Sequence, residues 1–366
     1  MTYNADELKP GSYASLDEFK DSFELIKDVK SDLVEGKVDA DLTPFFSIVI
    51  PTYRRGTSFA RALDSALRQK ACGIEWDCVV VDNTPPEEDA PARKIVRERA
   101  DFRVLYYRNR QNIGSGYNWN RGVELARGKW IVFLHDDDIL YPDALFQLKR
   151  MISLMFFGKK PLGYIHARRE NFICDEELDN IKPRYVPCFL PLTRGRSLIL
   201  GGTGTGVPSC GTAILKEAYL STGGINYDYA LTADSVLGYQ IMKRYRVIQS
   251  DCSLGAYCWS ENETLKKSSL LSLVQSDALF AQYRYSRNFF SKIWGRIFGL
   301  CEYRRNLDYK ISTGEYKKFG LTYHDFDTIM PYRAPNLLVW YAYRFIQRIY
   351  RVQVAAYAMI RYLLKI

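Results

Sequence analysis

Trp130-Ile-Val-Phe-Leu-His-Asp136-Asp137-Asp138 joins an apolar run to three consecutive carboxylates. The apolar residues, Trp130 to Leu134, contain no polar position, which fits a strand buried on both faces of a sheet, so that the acids fall at its exposed C-terminal end. Ligands of open α/β sheets bind at that edge. Adjacent carboxylates repel one another, and a set this dense calls for a cation. Oxygen ligands suit Mg²⁺ or Mn²⁺, which are shared between one or two carboxylates and substrate phosphates. The same residues also read as a solvated acidic turn, with Tyr141-Pro142-Asp143 opening a helix behind it. The rest of the chain weighs between the two readings.

Upstream, strands and helices alternate. Phe46 to Ile50 predicts a strand stopping at Pro51, and Thr57 to Lys70 has helical periodicity. Cys78 to Val81 is a second strand, Ala92 to Arg99 a helix, Arg103 to Tyr107 a third strand and Tyr117 to Ala126 a helix leading into the Trp130 strand. This alternation means βαβ units around a mainly parallel sheet.

Three loops on its ligand edge carry chemistry. Thr52, Tyr53, Arg54 and Arg55 combine a hydroxyl, an aromatic face and two guanidiniums, suited to a base and a diphosphate. Asp82 ends the second strand, where an acid can accept from a ribose hydroxyl or a base N–H. Asn112-Ile-Gly114 leads into a helix with Asn120 and Gly122, where glycine allows close backbone approach. Each also has a structural reading, as turn residues, a capping acid or surface arginines.

Taken in order, Phe46 to Tyr53, Val79 to Asn83, Asn112 to Gly114 with Asn120 to Gly122, and Phe133 to Asp138 resemble the successive motifs of inverting family 2 glycosyltransferases. The resemblance is specific over about residues 45–150, looser to about 265, and covers neither tail. It implies an α/β GT-A fold, with a nucleoside-diphosphate sugar as donor and Mn²⁺ or Mg²⁺ as cofactor. Thr52 and Asp82 would hold the base and ribose. Asp136 would approach the ribose or a metal-bound water, and Asp138 would ligate the metal. Tyr53, Arg54, Asn112, Gly114, Asn120 and Asp137 complete the expected donor side. Asp234 matches the family's acceptor-side base, and it reads equally as the N-cap of the helix through Met242. Gly204, Thr205, Gly223 and Gly224 are placed in acceptor-side loops. The chain departs from the pattern twice: Ala233 stands where a first acid usually precedes the base, and Tyr257-Cys-Trp259 falls where many members carry a histidine ligand. His135 is expected to face the other side of its strand and to take no catalytic part.

The organisation expected is an N-terminal helical arm (1–44), a GT-A domain (45–275, with a nucleotide-sugar half to 150 and an acceptor half beyond it) and a helical, basic and aromatic C-terminal region (276–366). Residues 1–44 carry eleven acids against five lysines, and residues 284–366 carry fifteen bases against five acids. Leu16, Phe19, Phe23, Ile26 and Leu33 recur at helical steps, predicting one amphipathic helix in the arm. In the last helix Arg344, Arg348, Arg351, Arg361 and Lys365 fall near one stripe, which suits an anionic membrane surface or a docked subunit. The eight cysteines show no C-x-x-C pair and read as reduced thiols. With no signal peptide and no long apolar run, the expectation is a cytoplasmic protein, peripheral on a membrane at most. A glycan or lipid-linked glycan is the expected acceptor and a homo-oligomer is compatible. Nucleic acid is not expected, because no binding motif accompanies the basic tail. A nucleotidyltransferase or similar Mg²⁺-dependent phosphate-handling enzyme and a non-catalytic nucleotide-sugar-binding paralogue are the competing classes.

Overall fold

The computed structural model describes residues 20–71, 73–154, 160–173, 175–178, 180–181, 189–192, 210–226, 233–259, 297, 301, 304, 308 and 337–363. Leu16, Phe19, Gly204, Thr205 and most of the 276–336 stretch lie outside the described residues, as do the expectations placed on them. Among the described residues ten strands form one sheet. They are β1 (Ser31–Glu35), β2 (Phe46–Thr52), β3 (Trp76–Asp82), β4 (Val104–Asn109), β5 (Trp130–Phe133), β6 (Ile139–Leu140), β7 (Leu162–Phe172), β8 (Phe189–Leu192), β9 (Ala213–Leu215) and β10 (Arg246–Cys258). Their order is β1-β4-β3-β2-β5-β9-β7-β10-β6, with β8 also on β10. β4, β3, β2 and β5 run parallel, so their C-terminal ends share one edge.

Helices α1 (Thr57–Leu67), α2 (Pro91–Arg99), α3 (Ser115–Leu125) and α4 (Ala144–Leu154) alternate with these strands. Every residue of β2 and β3 is buried, as their largely apolar sequences require of strands covered on both faces. Each such Val or Ile contributes roughly 1.5–3 kcal/mol by leaving water. Gly122 lets α3 lie directly on β2: a Cβ there would stand 2.4 Å from Val49 Cγ1.

Two local expectations change. β2 does not stop at Pro51 but runs through it to Thr52. Leu134 N–H donates to Val49 O, so by the strand's alternation Pro51 turns its missing N–H toward the same β5 side, beyond the last paired residues Val49 and Phe133. The ladder therefore loses no bond there.

The N-terminal segment is the second correction. No helix forms over Phe23 to Leu33; residues 22–29 make turns and Ser31–Glu35 pairs antiparallel with β4. Ile26 is buried and Phe23 meets the Tyr219 ring edge-on at 6.4 Å. Arg121 Nη2 donates to the carbonyls of Ile26 and Val29 at 2.7 Å each. Those tertiary bonds, and the open edge of β4, outweigh a helical spacing supported by only a few apolar residues.

Candidate active site

The site begins where β2, β3 and β4 end. Thr52 and Asp82 are register neighbours. Asp82 is fully buried, and its two oxygens accept from Thr84 N–H at 2.8 Å and the Tyr106 hydroxyl at 2.7 Å. A carboxylate has about four acceptor positions, and these two bonds use two of them. Burial, then the adjacent Asp82, pushes the Tyr106 phenol upward and keeps it a donor. Behind Asp82 sits a cluster of amides. Asn109 Nδ2 donates to Asn83 Oδ1 (2.9 Å) and Asn118 Oδ1 (2.8 Å), and Asn118 Nδ2 donates to Val81 O (2.9 Å). Asn83 Nδ2 donates to Asn112 Oδ1 at 2.7 Å, and Asn112 in turn accepts from Gly114 N–H at 2.9 Å. This network fixes the loop opening α3 against the ends of β3 and β4.

The acids follow β5. Asp136 Oδ2 accepts from Thr52 Oγ1 at 2.8 Å. Burial, then the charge of Asp137, pushes the Asp136 carboxyl up to about 6, with Thr52 and Arg55 opposing. Asp137 is raised likewise, by burial and then by Asp138. Arg55 approaches both, with Nε 3.8 Å from Asp136 and an Nη 4.0 Å from Asp137. Arg54 instead makes a two-pronged pair with Glu88 on the surface, its guanidinium over the Tyr53 ring. The guanidinium facing the acids is therefore that of Arg55, not that of Arg54.

Asp138 is fully buried. Its Oδ1 accepts from Cys258 N–H at 2.8 Å, while Oδ2 makes no hydrogen bond and lies 3.1 Å from His135 Nδ1. An orphaned buried carboxylate oxygen is costly unless a positive charge faces it. His135, Asp137 and Asp138 can each offer one atom such that all lie within 4.8 Å of one another. This set fits a divalent cation, and among the described residues it is the group of that kind. The imidazole thus joins the acids, contrary to the expectation that it faces away, and Asp136 stands with Thr52 and Arg55.

On the acceptor side, Asp234 lies in the first turn of the helix Ala233–Arg244 and accepts from Ser235 N–H. Burial pushes its carboxyl up to about 6, opposed by the Ser235 bonds and by the charges of Arg169 and His135. The fields of those two groups tie Asp234 to the cluster on β5. Arg169 comes from β7 and stacks over the Tyr257 ring at 4.1 Å. Gly223 and Gly224 both have φ near +80°. A Cβ on Gly223 would strike Lys20 O, and one on Gly224 would strike the Asn120 amide. Asn120 is fully buried; its Nδ2 donates to Ile225 O, and its Oδ1 accepts from Ile225 N–H and the Tyr219 hydroxyl. The glycine turn is thereby clamped to α3 and to the N-terminal segment. Arg169 and the amides Asn109 and Asn118 were not singled out from sequence, because only the sheet topology brings them to this edge.

Residues 47–156 match the family model for glycosyl transferase family 2. A glycosyltransferase of PGL/p-HBAD biosynthesis from Mycobacterium bovis is 37% identical over 130 residues, 35% of this chain and 50% of that protein. The succinoglycan biosynthesis protein ExoO of Rhizobium meliloti is 36% identical over 113 residues, 31% of this chain and 30% of its own length. The chain thus spans half or less of these relatives. The crystal structure of Staphylococcus aureus TarS residues 1–349 in complex with UDP superposes with a TM-score of 0.51 at 15% identity, covering 76% of each chain. Residues 47–156 are thus a segment of the glycosyl transferase family 2 type, set in an α/β fold like that of TarS.

Proposed function

We propose that the protein transfers one sugar from a nucleoside diphosphate to a hydroxyl of a glycan or lipid-linked glycan, with inversion at the anomeric carbon. The observation that carries this reading is the cluster of buried Asp138 with Asp137 and His135, whose ligand atoms can all lie within 4.8 Å of one another, on the same sheet edge as Thr52 and Asp82 and within the electrostatic reach of Asp234. Thr52 and Asp82 would bind the nucleoside and Arg55 the diphosphate. Tyr53, exposed beside Thr52, offers a face for the base, and the clamped Asn112–Gly114 loop and Asn120 hold the wall behind it. Asp137 and Asp138 would hold Mn²⁺ or Mg²⁺, which when bound neutralises charge developing on the leaving diphosphate. Asp234 would take the acceptor hydroxyl proton as the new C1–O bond forms and the bond from C1 to the phosphate oxygen breaks, its electron pair leaving with the diphosphate. The UDP bound by TarS supports UDP as carrier, and the relatives named for glycolipid and polysaccharide biosynthesis support a glycan acceptor.

Membrane contact is the finer part of the proposal. In the helix Leu337–Leu363, Trp340 and Tyr343 are buried with Cys301, while Leu338, Phe345 and Val352 on another face are 79%, 64% and 68% exposed. Arg348 is exposed and Arg344 half-buried at the border of that face; the side chains of Arg351 and Arg361 and the whole of Lys365 lie outside the described residues. No helix among the described residues is long and apolar enough to cross a membrane. An apolar stripe edged by arginines suits the surface of an anionic bilayer.

Calorimetric titration with UDP, GDP and dTDP, each with Mn²⁺, Mg²⁺ or EDTA, tests the donor site. Metal-dependent binding of one nucleotide that Asp138→Ala abolishes is the expected result. Equal binding in EDTA, or none by any nucleotide, removes the proposal.

A further inference from the structure

We infer that His135 is itself a ligand of the cation held by Asp137 and Asp138, through Nδ1, and that this imidazole biases the site toward Mn²⁺ over Mg²⁺. The inference rests on the cation-binding part of the proposed function and extends it to a residue and a selectivity.

Three observations converge on the imidazole. The imidazole belongs to the one described group whose ligand atoms all lie within 4.8 Å. Its Nδ1 stands 3.1 Å from Asp138 Oδ2, and that oxygen is buried without a hydrogen bond. At that spacing a protonated imidazole pairs with the carboxylate, and with the ring neutral the same separation suits two adjacent ligands of one cation. The ring is also held in place on both sides: Trp119 packs edge-on at 4.7 Å and Tyr257 at 6.2 Å. Trp119 in turn stacks on Phe133, the last residue of β5. Such packing limits ring rotation, so the nitrogen stays aimed at the acids. The carboxylate is fixed from its far side by Cys258 N–H. The end of β10 and the residue after it close the cluster with the rings of Tyr257 and Trp259, 5.7 Å apart, and bring no second imidazole.

The selectivity follows from donor chemistry. Mg²⁺ prefers oxygen and dehydrates reluctantly, whereas a site of carboxylates plus imidazole suits the later divalent ions, Mn²⁺ included. Replacing the imidazole by an oxygen donor should therefore weaken Mn²⁺ more than Mg²⁺. Loss of an imidazole that only shields or orients the acids would weaken both alike.

The test uses the full chain with Mn²⁺ alone, without nucleotide or turnover. Pulsed electron paramagnetic resonance of the wild-type protein should show ¹⁴N coupling from one directly bound imidazole. That coupling should vanish in His135→Gln, with Mn²⁺ affinity falling about tenfold or more, Mg²⁺ affinity changing less than threefold, and the thermal transition retained. The wild-type spectrum stands even if that variant folds poorly. Mn²⁺ bound with no ¹⁴N coupling would overturn the ligand role of His135 and leave the acid site intact. Mn²⁺ bound by neither wild type nor His135→Gln at millimolar concentration would overturn the metal reading as a whole. Equal losses for Mn²⁺ and Mg²⁺ would overturn the selectivity.

Discussion

The two polar clusters at the sheet edge are built on opposite terms. In the amide cluster of Asn83, Asn109, Asn112 and Asn118 each side chain meets a partner, three of them being almost wholly buried. In the acid cluster a fully buried oxygen of Asp138 goes without a hydrogen bond, and Asp136, Asp137 and Asp234 are all pushed up toward the neutral form. Neutral amides can be satisfied by one another at no net charge, so that region is finished on folding. Like charges cannot satisfy one another, so the second region waits for a cation and a substrate. Satisfied polarity marks the frame, and unsatisfied polarity marks the site.

Substitutions on the two sides should separate these roles. The largest effect is expected for Asp234→Asn: kcat should fall by about 10²–10⁴, the range for losing a general base, with nucleotide affinity unchanged. In the wild type the same base should impose a pH limit. With its carboxyl raised to about 6, Asp234 is protonated and inactive below that pH, so turnover should rise tenfold per unit up to about pH 6 and then level. A profile flat from pH 5 to 8 would remove Asp234 from the role.

Asn118→Ala is expected to act through the fold. It strands the amide of Asn109 and the carbonyl of Val81, and should cost about 2–3 kcal/mol in denaturant unfolding. Nucleotide binding should weaken only as the loop loosens, and kcat with saturating donor should hold within a fewfold. A large kcat loss without a stability loss would break the distinction drawn here.

Asp136→Asn should do the reverse. A carboxyl raised from 3.8 to about 6 on folding contributes its full stability below about pH 4 and loses it as pH rises through 6. At pH 8 the ionised group therefore opposes folding, and the amide should stabilise the protein by about 1–3 kcal/mol while weakening the donor. At pH 4 the two proteins should unfold alike. The smallest effect belongs to the C-terminal helix: Phe345→Glu should lower binding to vesicles containing anionic lipid severalfold, with UDP binding untouched, as co-sedimentation would show.

Much of the parallel half was legible in the sequence because each strand from Phe46 to Phe133 is dominated by large apolar residues and is followed by a distinctive polar group. Thr52, Asp82 and the three aspartates were found that way. His135 was misjudged because strand alternation was extended past Phe133, where the chain has already left the ladder and turned back on the acids. Arg54 and Arg55 could not be told apart, since the positive φ of Arg54 is what swings one guanidinium out to Glu88 and leaves the other over the carboxylates. Arg169 was invisible for a different reason: it sits in β7, which reaches the site through a mixed, partly antiparallel order that no local pattern encodes. Phe23 to Leu33 had a helical spacing, and the Arg121 bonds to Ile26 and Val29 together with the open edge of β4 explain why turns and a strand won.

That strand has a consequence for solubility. β1 covers the outer rail of β4 with a short, charged ribbon, Asp32 paired to Arg110 and Glu35 to Arg93, the kind of border that discourages one sheet from adding to another. A chain shortened to begin at the family segment would keep every residue proposed for catalysis and yet expose a six-residue parallel strand to its neighbours. Such a fragment should self-associate, because the strand Ser31–Glu35 is what pairs with that edge, and light scattering of the shortened and full chains checks it.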